Sequence, residues 1–212
     1  MNLNAHLYSA WRSDEEEPEE EKEETPKSDL MMFSKKLEKY FFESRSVYLW
    51  GVVDDKSARD VVSKLLLLDA DKPGEEIKFY INSPGGVVTS GMVMYDTMQL
   101  IKSPVSTICM GLAASMGSIL LSGGTKGRRF IYPSGEVIIH QPSLGGYIRG
   151  VTSDLEIQAK QTKRVKDMGA QILATNTGKS VEEIMRDFDR DYWMNAEEAI
   201  SYGIVDQQIT KL

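Results

Sequence analysis

From Leu30 onward the chain alternates between two hydrophobic periods. Leu30–Phe42 has helical spacing, and Val47-Tyr48-Leu49-Trp50-Gly51-Val52-Val53 is an unbroken apolar run of the kind a buried strand needs. Ser57–Leu68 returns to helical spacing, with Val61, Val62, Leu65 and Leu68 on one face. Glu76–Ile81 predicts a strand that ends in the turn Asn82-Ser83-Pro84-Gly85-Gly86. The next helix carries Val88, Met92, Tyr95, Met98 and Ile101 on one side. Strand Val105–Met110, a helix from Ser115, and strands Arg128–Tyr132 and Glu136–His140 complete the series. Strands separated by helices require crossovers, which are right-handed, so the expectation is an α/β fold on a mainly parallel sheet.

Past His140 the pattern changes. Gln141–Gly150 carries Gly145, Gly146 and Gly150. A long helix is then predicted to open on the capping box Ser153-Asp154-Leu155-Glu156. Its apolar stripe (Leu155, Ala159, Thr162, Val165, Met168, Ile172) lies opposite Lys160, Lys163, Arg164 and Lys166. Such a stripe fits either packing on the chain's own sheet or packing on another copy, and the residues leave both open.

Charge divides the chain. Its net charge is −7, yet residues 1–29 hold ten acids and three bases, so residues 30–212 balance to zero. A neutral body without a basic stripe argues against nucleic-acid binding. Asp14–Glu24 has nine acids around Pro18 and too little apolar surface to repay ordering, so 1–29 is expected to be a disordered acidic tail and 30–212 the folded domain. The single Cys109 excludes an intrachain disulfide framework, and no run approaches the length of a membrane span. These features, with an acidic N-terminus unlike a signal or transit peptide, lead to the expectation of a soluble, cytoplasmic protein, with an organelle matrix or stroma as the alternative.

Candidate chemistry centres on Ser115. It lies in Ala113-Ala114-Ser115-Met116-Gly117, between a strand-like and a helix-like run. Small neighbours allow the sharp turn that exposes a nucleophilic hydroxyl, and the following helix end favours developing negative charge. The chain has two histidines, and His6 lies in the acidic tail, so a serine mechanism needs His140 as its base. An orienting carboxylate would come from Arg186-Asp187-Phe188-Asp189-Arg190-Asp191, where composition does not choose among three aspartates. Gly85-Gly86 after a strand can present backbone N–H groups, and the Met116 N–H follows the nucleophile; together they would bind an oxyanion. No metal site is expected, and Gly123-Gly124-Thr125-Lys126 lacks phosphate-loop spacing.

Four segments carry a family resemblance: Phe79-Tyr80-Ile81-Asn82-Ser83-Pro84-Gly85-Gly86, Tyr95-Asp96-Thr97-Met98-Gln99, Ile108 through Gly117, and Ile139-His140-Gln141-Pro142. They resemble the proteolytic subunits of the ATP-dependent Clp protease over about Phe33 to Ile209. The resemblance implies a ClpP/crotonase-like fold of repeated ββα units with a projecting handle, about residues 141–173. It further implies two stacked heptameric rings fed with unfolded proteins by a AAA+ unfoldase ATPase of the Clp type. ATP would be used by that partner, so no cofactor is expected for this chain. By position, Ser115 matches the nucleophile, His140 the base, Asp191 the triad aspartate, and Gly86 and Met116 the oxyanion amides. Asp189 and Arg190 match positions that couple ring stacking to the active site.

Two features depart from the family pattern. The acidic tail replaces a short hydrophobic axial segment, and Lys78 stands where many members carry an aromatic that docks the ATPase. The second departure admits a mixed ring with a paralogous proteolytic subunit. The alternatives are a non-catalytic ring subunit, which would be expected to lack the nucleophile or base, and an acyl-CoA-processing crotonase, which would not need a serine with a following histidine.

Overall fold

A computed structural model describes residues 27–143 and 150–211. The acidic segment up to residue 26 and residues 144–149 of the expected handle lie outside the described part. Helix α1 (Lys27–Glu43) begins three residues before the predicted Leu30. The described residues up to Leu37 form a unit of their own, and the chain from Glu38 forms the folded body.

The body is a seven-stranded sheet crossed by helices. Strands β1 (Ser46–Trp50), β2 (Ile77–Ser83), β3 (Val105–Ala114), β4 (Arg129–Ile131) and β7 (Gln207–Gln208) lie side by side in that order, all parallel. Parallel neighbours require crossovers, supplied by α2 (Asp55–Asp71), α3 (Val88–Leu100) and α4 (Met116–Ser122). β3 is long enough to pair twice. Its first half pairs with β4 and its second half with β5 (Glu136–Ile139), which pairs antiparallel with β6 (Tyr192–Met194).

Local chemistry sets the helix ends. At α2 the Ser57 N–H donates to Asp54 Oδ1 at 2.7 Å and the Asp54 N–H donates to Ser57 Oγ at 2.9 Å. Similar reciprocal boxes open α6 (Val181–Asp187) at Ser180/Glu183 and α7 (Ala196–Tyr202) at Asn195/Glu198. The long helix α5 (Thr152–Thr177) differs from the prediction. It starts one residue before Ser153, with Val151 at its cap position and no side-chain cap, so the Ser153–Glu156 motif is inside the helix and caps nothing.

Burial follows the alternation. Ile77, Phe79, Ile81 and Ser83 of β2 point into the core, while Lys78, Tyr80 and Asn82 face the other way. On that second face Tyr80 stacks on Tyr48 at 4.8 Å, and Lys78 is exposed. On α5 only Ala170, Leu173 and Ala174 are fully buried; Thr162 and Val165 are half-buried and Leu155 is exposed. The predicted stripe is thus covered toward the C-terminal end of the helix and open toward its start. A buried ion pair closes the sheet's far edge. Arg129 donates to both Asp206 oxygens, through Nε at 3.0 Å and Nη2 at 2.5 Å, and through Nη1 to the Asn176 carbonyl at 2.8 Å.

Candidate active site

The site sits beyond the C-terminal ends of β2, β3 and β5, where a parallel sheet leaves its connecting loops open to ligand. Ser115 follows β3 directly, and its N–H donates to the Ile138 carbonyl of β5 at 3.0 Å. Its backbone is left-handed (φ 54°, ψ −120°), one of two non-glycine residues with positive φ among those described. A β-carbon in that region costs on the order of 1–3 kcal/mol, and such strain clusters where a side chain must be aimed. The Ser115 hydroxyl caps no helix N–H. The Ser115 carbonyl starts the helix instead, accepting from the Ser118 N–H at 3.0 Å and the Ser118 hydroxyl at 2.7 Å.

The glycine turn after β2 lies against this bend. A β-carbon on Gly85 would stand 2.6 Å from Ser115 Cβ, 2.7 Å from the Ala114 carbonyl oxygen and 3.0 Å from the Met116 nitrogen. Gly85 also has φ +89°, so both space and backbone demand glycine there. Ser83 fixes the turn, its Oγ accepting from the Gly85 N–H at 3.1 Å. The bridge to Val53 uses the Gly85 carbonyl and the Val87 N–H, which leaves the Gly86 N–H without a partner among the described residues. The Met116 N–H, at the first residue of α4, is likewise unpaired among the described residues. Two free donors flanking a bent serine can stabilise an oxyanion.

His140 comes from the end of β5. It lines, with Ser115, a small cavity of about 40 Å³ whose other walls include Met92, Met116, Ile119, Val165 and Phe188. The lining is apolar except at the serine and the histidine. Register brings the acid. β5 and β6 pair Val137 with Met194, Ile138 with Trp193 and Ile139 with Tyr192, so the next opposed positions are His140 and Asp191. His140, Asp189, Arg190 and Asp191 share the wall of an adjoining surface depression.

The three aspartates that composition could not separate have different surroundings. Asp187 accepts from the buried Tyr202 hydroxyl at 3.0 Å, and burial first, then Asp187, raises that phenol's pKa well above its ordinary value. Asp189 is approached by Gln141 Nε2 at 3.3 Å and Lys166 Nζ at 3.8 Å, and Arg190 Nε stands 3.8 Å from it. Asp191 is exposed and has no hydrogen-bond or ion-pair partner among the described residues. Nor does a hydrogen bond join Ser115 to His140 or His140 to Asp191.

Three residues near the site had no role assigned to them there from the sequence. Gly91 lets α3 approach the site, since a β-carbon there would stand 2.3 Å from Met116 Cε. Gln141, next to His140, receives Lys166 Nζ of α5 at 2.8 Å and donates to the Asp189 carbonyl at 2.7 Å. Cys109, buried in β3, has its thiol pKa pushed up to about 12 by desolvation and is no competing nucleophile. Among the described residues no cluster of three or more His, Cys, Asp or Glu could hold a metal ion, and no helix is long and apolar enough to cross a membrane.

The family model for Clp protease matches residues 31–211. That span takes in the bent serine, the glycine turn, the histidine and all three aspartates. On this match, and with a parallel α/β sheet consistent with the ClpP fold, the chain belongs to the Clp protease family and is a Clp-type peptidase.

Proposed function

We propose that the chain is the serine-type proteolytic subunit of a ring-shaped Clp particle, hydrolysing unfolded polypeptides with Ser115, His140 and Asp191. The observation that carries this reading is the left-handed Ser115 at the β3–α4 bend, sharing one cavity with His140, with the Gly85 turn against it and the Gly86 and Met116 amides unpaired among the described residues. Ser115 Oγ attacks the scissile carbonyl carbon while His140 takes the hydroxyl proton. The carbonyl oxygen becomes an oxyanion held by the Gly86 and Met116 N–H groups. Collapse expels the amine, which receives the proton from His140 and leaves an acyl-serine. Water, deprotonated by the same imidazole, then releases the acid. Asp191 orients the imidazole and stabilises its charged form.

The cavity beside the serine supports a preference for apolar side chains on the acyl side of the cleaved bond. Met92, Ile119, Val165 and Phe188 offer no charge to pair and would desolvate a polar one. Family membership implies oligomeric assembly and a Clp ATPase partner in general terms; two stacked heptameric rings are the form of that assembly proposed here. The open start of the α5 stripe fits packing on a second copy. Asp189 and Arg190 would couple that contact to the site. Exposed Lys78 beside the Tyr48–Tyr80 stack favours a ring in which a paralogue contributes to ATPase docking.

The test is cleavage of fluorogenic peptides with leucine or methionine before the scissile bond, against matched peptides with aspartate there. The apolar peptides should be preferred, and Ser115→Ala should lose on the order of 10⁴-fold or more of kcat while keeping its sedimentation profile. Turnover near wild type in Ser115→Ala overturns the mechanism.

A further inference from the structure

The segment before the glycine turn has a role that the triad and oxyanion assignments leave unexplained. β2 and β3 do not run in constant register. Ile81 pairs with Cys109, but Ser83 pairs with Ala113, so β3 spends two more residues than β2 across Asn82. A strand advances roughly 3.3 Å per residue, so two residues not taken up there would carry Ser115 about 6.6 Å along the strand. That displacement would take it past both the Gly85 contact and the Ile138 carbonyl. The bulge thus sets where the serine stands.

Bulged backbone leaves groups the neighbouring strand cannot pair. Here the Leu112 N–H is such a group, and Asn82 Oδ1 accepts from it at 3.1 Å. The fit is close. A β-carbon on Gly111 would stand 2.9 Å from the same oxygen, so the bulge closes over the amide only because residue 111 is glycine. The Asn82 main chain is anchored separately, its carbonyl accepting from the Gly51 N–H at 2.9 Å. With its backbone held on the β1 side, the side chain is free to act as a strut toward β3.

We propose that Asn82 is a positioning residue for acyl transfer, its side-chain amide bracing the β3 bulge that places Ser115 and the Met116 N–H against the glycine turn. The proposal rests on the reading of Ser115 as nucleophile. The strut touches neither substrate nor reacting atoms. The apolar cavity is built from α3, α4, α5, the His140 segment and Phe188 after α6, without Asn82. Loss of the strut should therefore misplace the reacting groups with little effect on substrate binding, and a misplacement of about 1 Å costs on the order of 10²-fold in rate.

The experiment uses the assembled full-length protein and an apolar fluorogenic peptide. Asn82→Leu keeps the volume and removes the acceptor; Asn82→Asp keeps an acceptor oxygen. The expected result is a kcat lowered roughly 10²-fold by Asn82→Leu with KM little changed, and most of that loss recovered in Asn82→Asp. Gly111→Ala, which pushes on the amide from the opposite strand, should lower kcat alone but add little in an Asn82→Ala background. Wild-type kcat in Asn82→Leu, or an Asn82→Asp as impaired as Asn82→Leu, overturns the proposal. If Asn82→Leu does not assemble by sedimentation, the Gly111/Asn82 pair decides: coupled effects support the strut and additive effects overturn it. A Ser115→Ala control separates the two levels. An active Ser115→Ala refutes the nucleophile assignment, whereas an inactive one beside a fully active Asn82→Leu refutes only the strut.

Discussion

The two halves of the candidate site are built differently. On the nucleophile side, Ser115 and Met116 are fixed by a strand end, a two-residue bulge and a glycine turn pressed against the bend, with the neighbouring Ala113 and Ala114 buried. On the acid side, Asp189, Arg190 and Asp191 are exposed, and their fixed contacts run to Gln141 and Lys166 rather than to His140. The nucleophile half is a property of one folded chain. The carboxylate half lies at the end of a sheet edge and beside the incompletely covered helix α5, where a second subunit can alter it. In the proposed ring, a division of this kind would complete the proton relay only where subunits meet.

The strongest way to break the comparison is to intrude on the rigid half. Gly85→Ala should lower kcat on the order of 10²–10³-fold, because its β-carbon must displace Ser115 or the Met116 amide. Gly127→Ala is the matched control. Gly127 has a similar φ of +84° but no atom within 4 Å of an added β-carbon. It should therefore show the backbone penalty of roughly 1–2 kcal/mol in stability and keep its turnover. Equal losses of activity in the two variants would mean that general strain, not the site contact, is being measured.

A second perturbation addresses the acid half. Asp191→Asn should lower kcat less than loss of the serine does, because a triad aspartate orients and does not react. Asp187→Asn should stay near wild type in peptide cleavage, since its partner is Tyr202. Asp189→Ala should change the sedimentation profile along with activity. Peptide kinetics beside sedimentation distinguish the three, and a fully active Asp191→Asn would show that another carboxylate serves His140.

Much of this was legible in the residues. Apolar runs located β1, β2 and β3, and helical spacing located α2 and α3, because burial of a periodic face decides those elements. The serine bend was readable from Ala113 to Gly117, where small residues have few other uses. The register shift across Asn82 was not, because a bulge changes pairing without changing hydrophobic pattern. β6 was missed as well: Tyr192 and Trp193 are exposed and the strand is held by its pairing with β5. Asp191 could be chosen over Asp187 only by family resemblance. Its position opposite His140 depends on an antiparallel register between segments about 50 residues apart, which no local pattern encodes. The Ser153–Glu156 motif misled for a related reason: a capping signature has force only where the helix starts, and α5 starts one residue earlier.

The smallest expected effect on turnover comes from the frame behind the nucleophile. Arg129 and Asp206 form a buried pair joined to the Asn176 carbonyl, and Asn176 Nδ2 reaches Ser122 Oγ at the end of α4 at 3.1 Å. Burial works to raise the Asp206 pKa, but the hydrogen bonds and charge of Arg129 outweigh it and hold it below the usual carboxylate value. A folded-state value below the unfolded one gives stability that is present above about pH 3.9 and is lost as pH falls through the folded value. Asp206→Asn should thus cost about 3 kcal/mol near neutral pH by leaving Arg129 buried and unpaired. Denaturant melts should show that cost shrinking as the pH is taken below about 3.9.

The most direct test of the account is reaction of the assembled protein with a fluorophosphonate, followed by mass mapping of the adduct. A bent serine served by His140 predicts one adduct per chain, on Ser115, absent in Ser115→Ala and formed far more slowly in His140→Ala. Modification at any other residue, or labelling of Ser115 at an unchanged rate in His140→Ala, would contradict it.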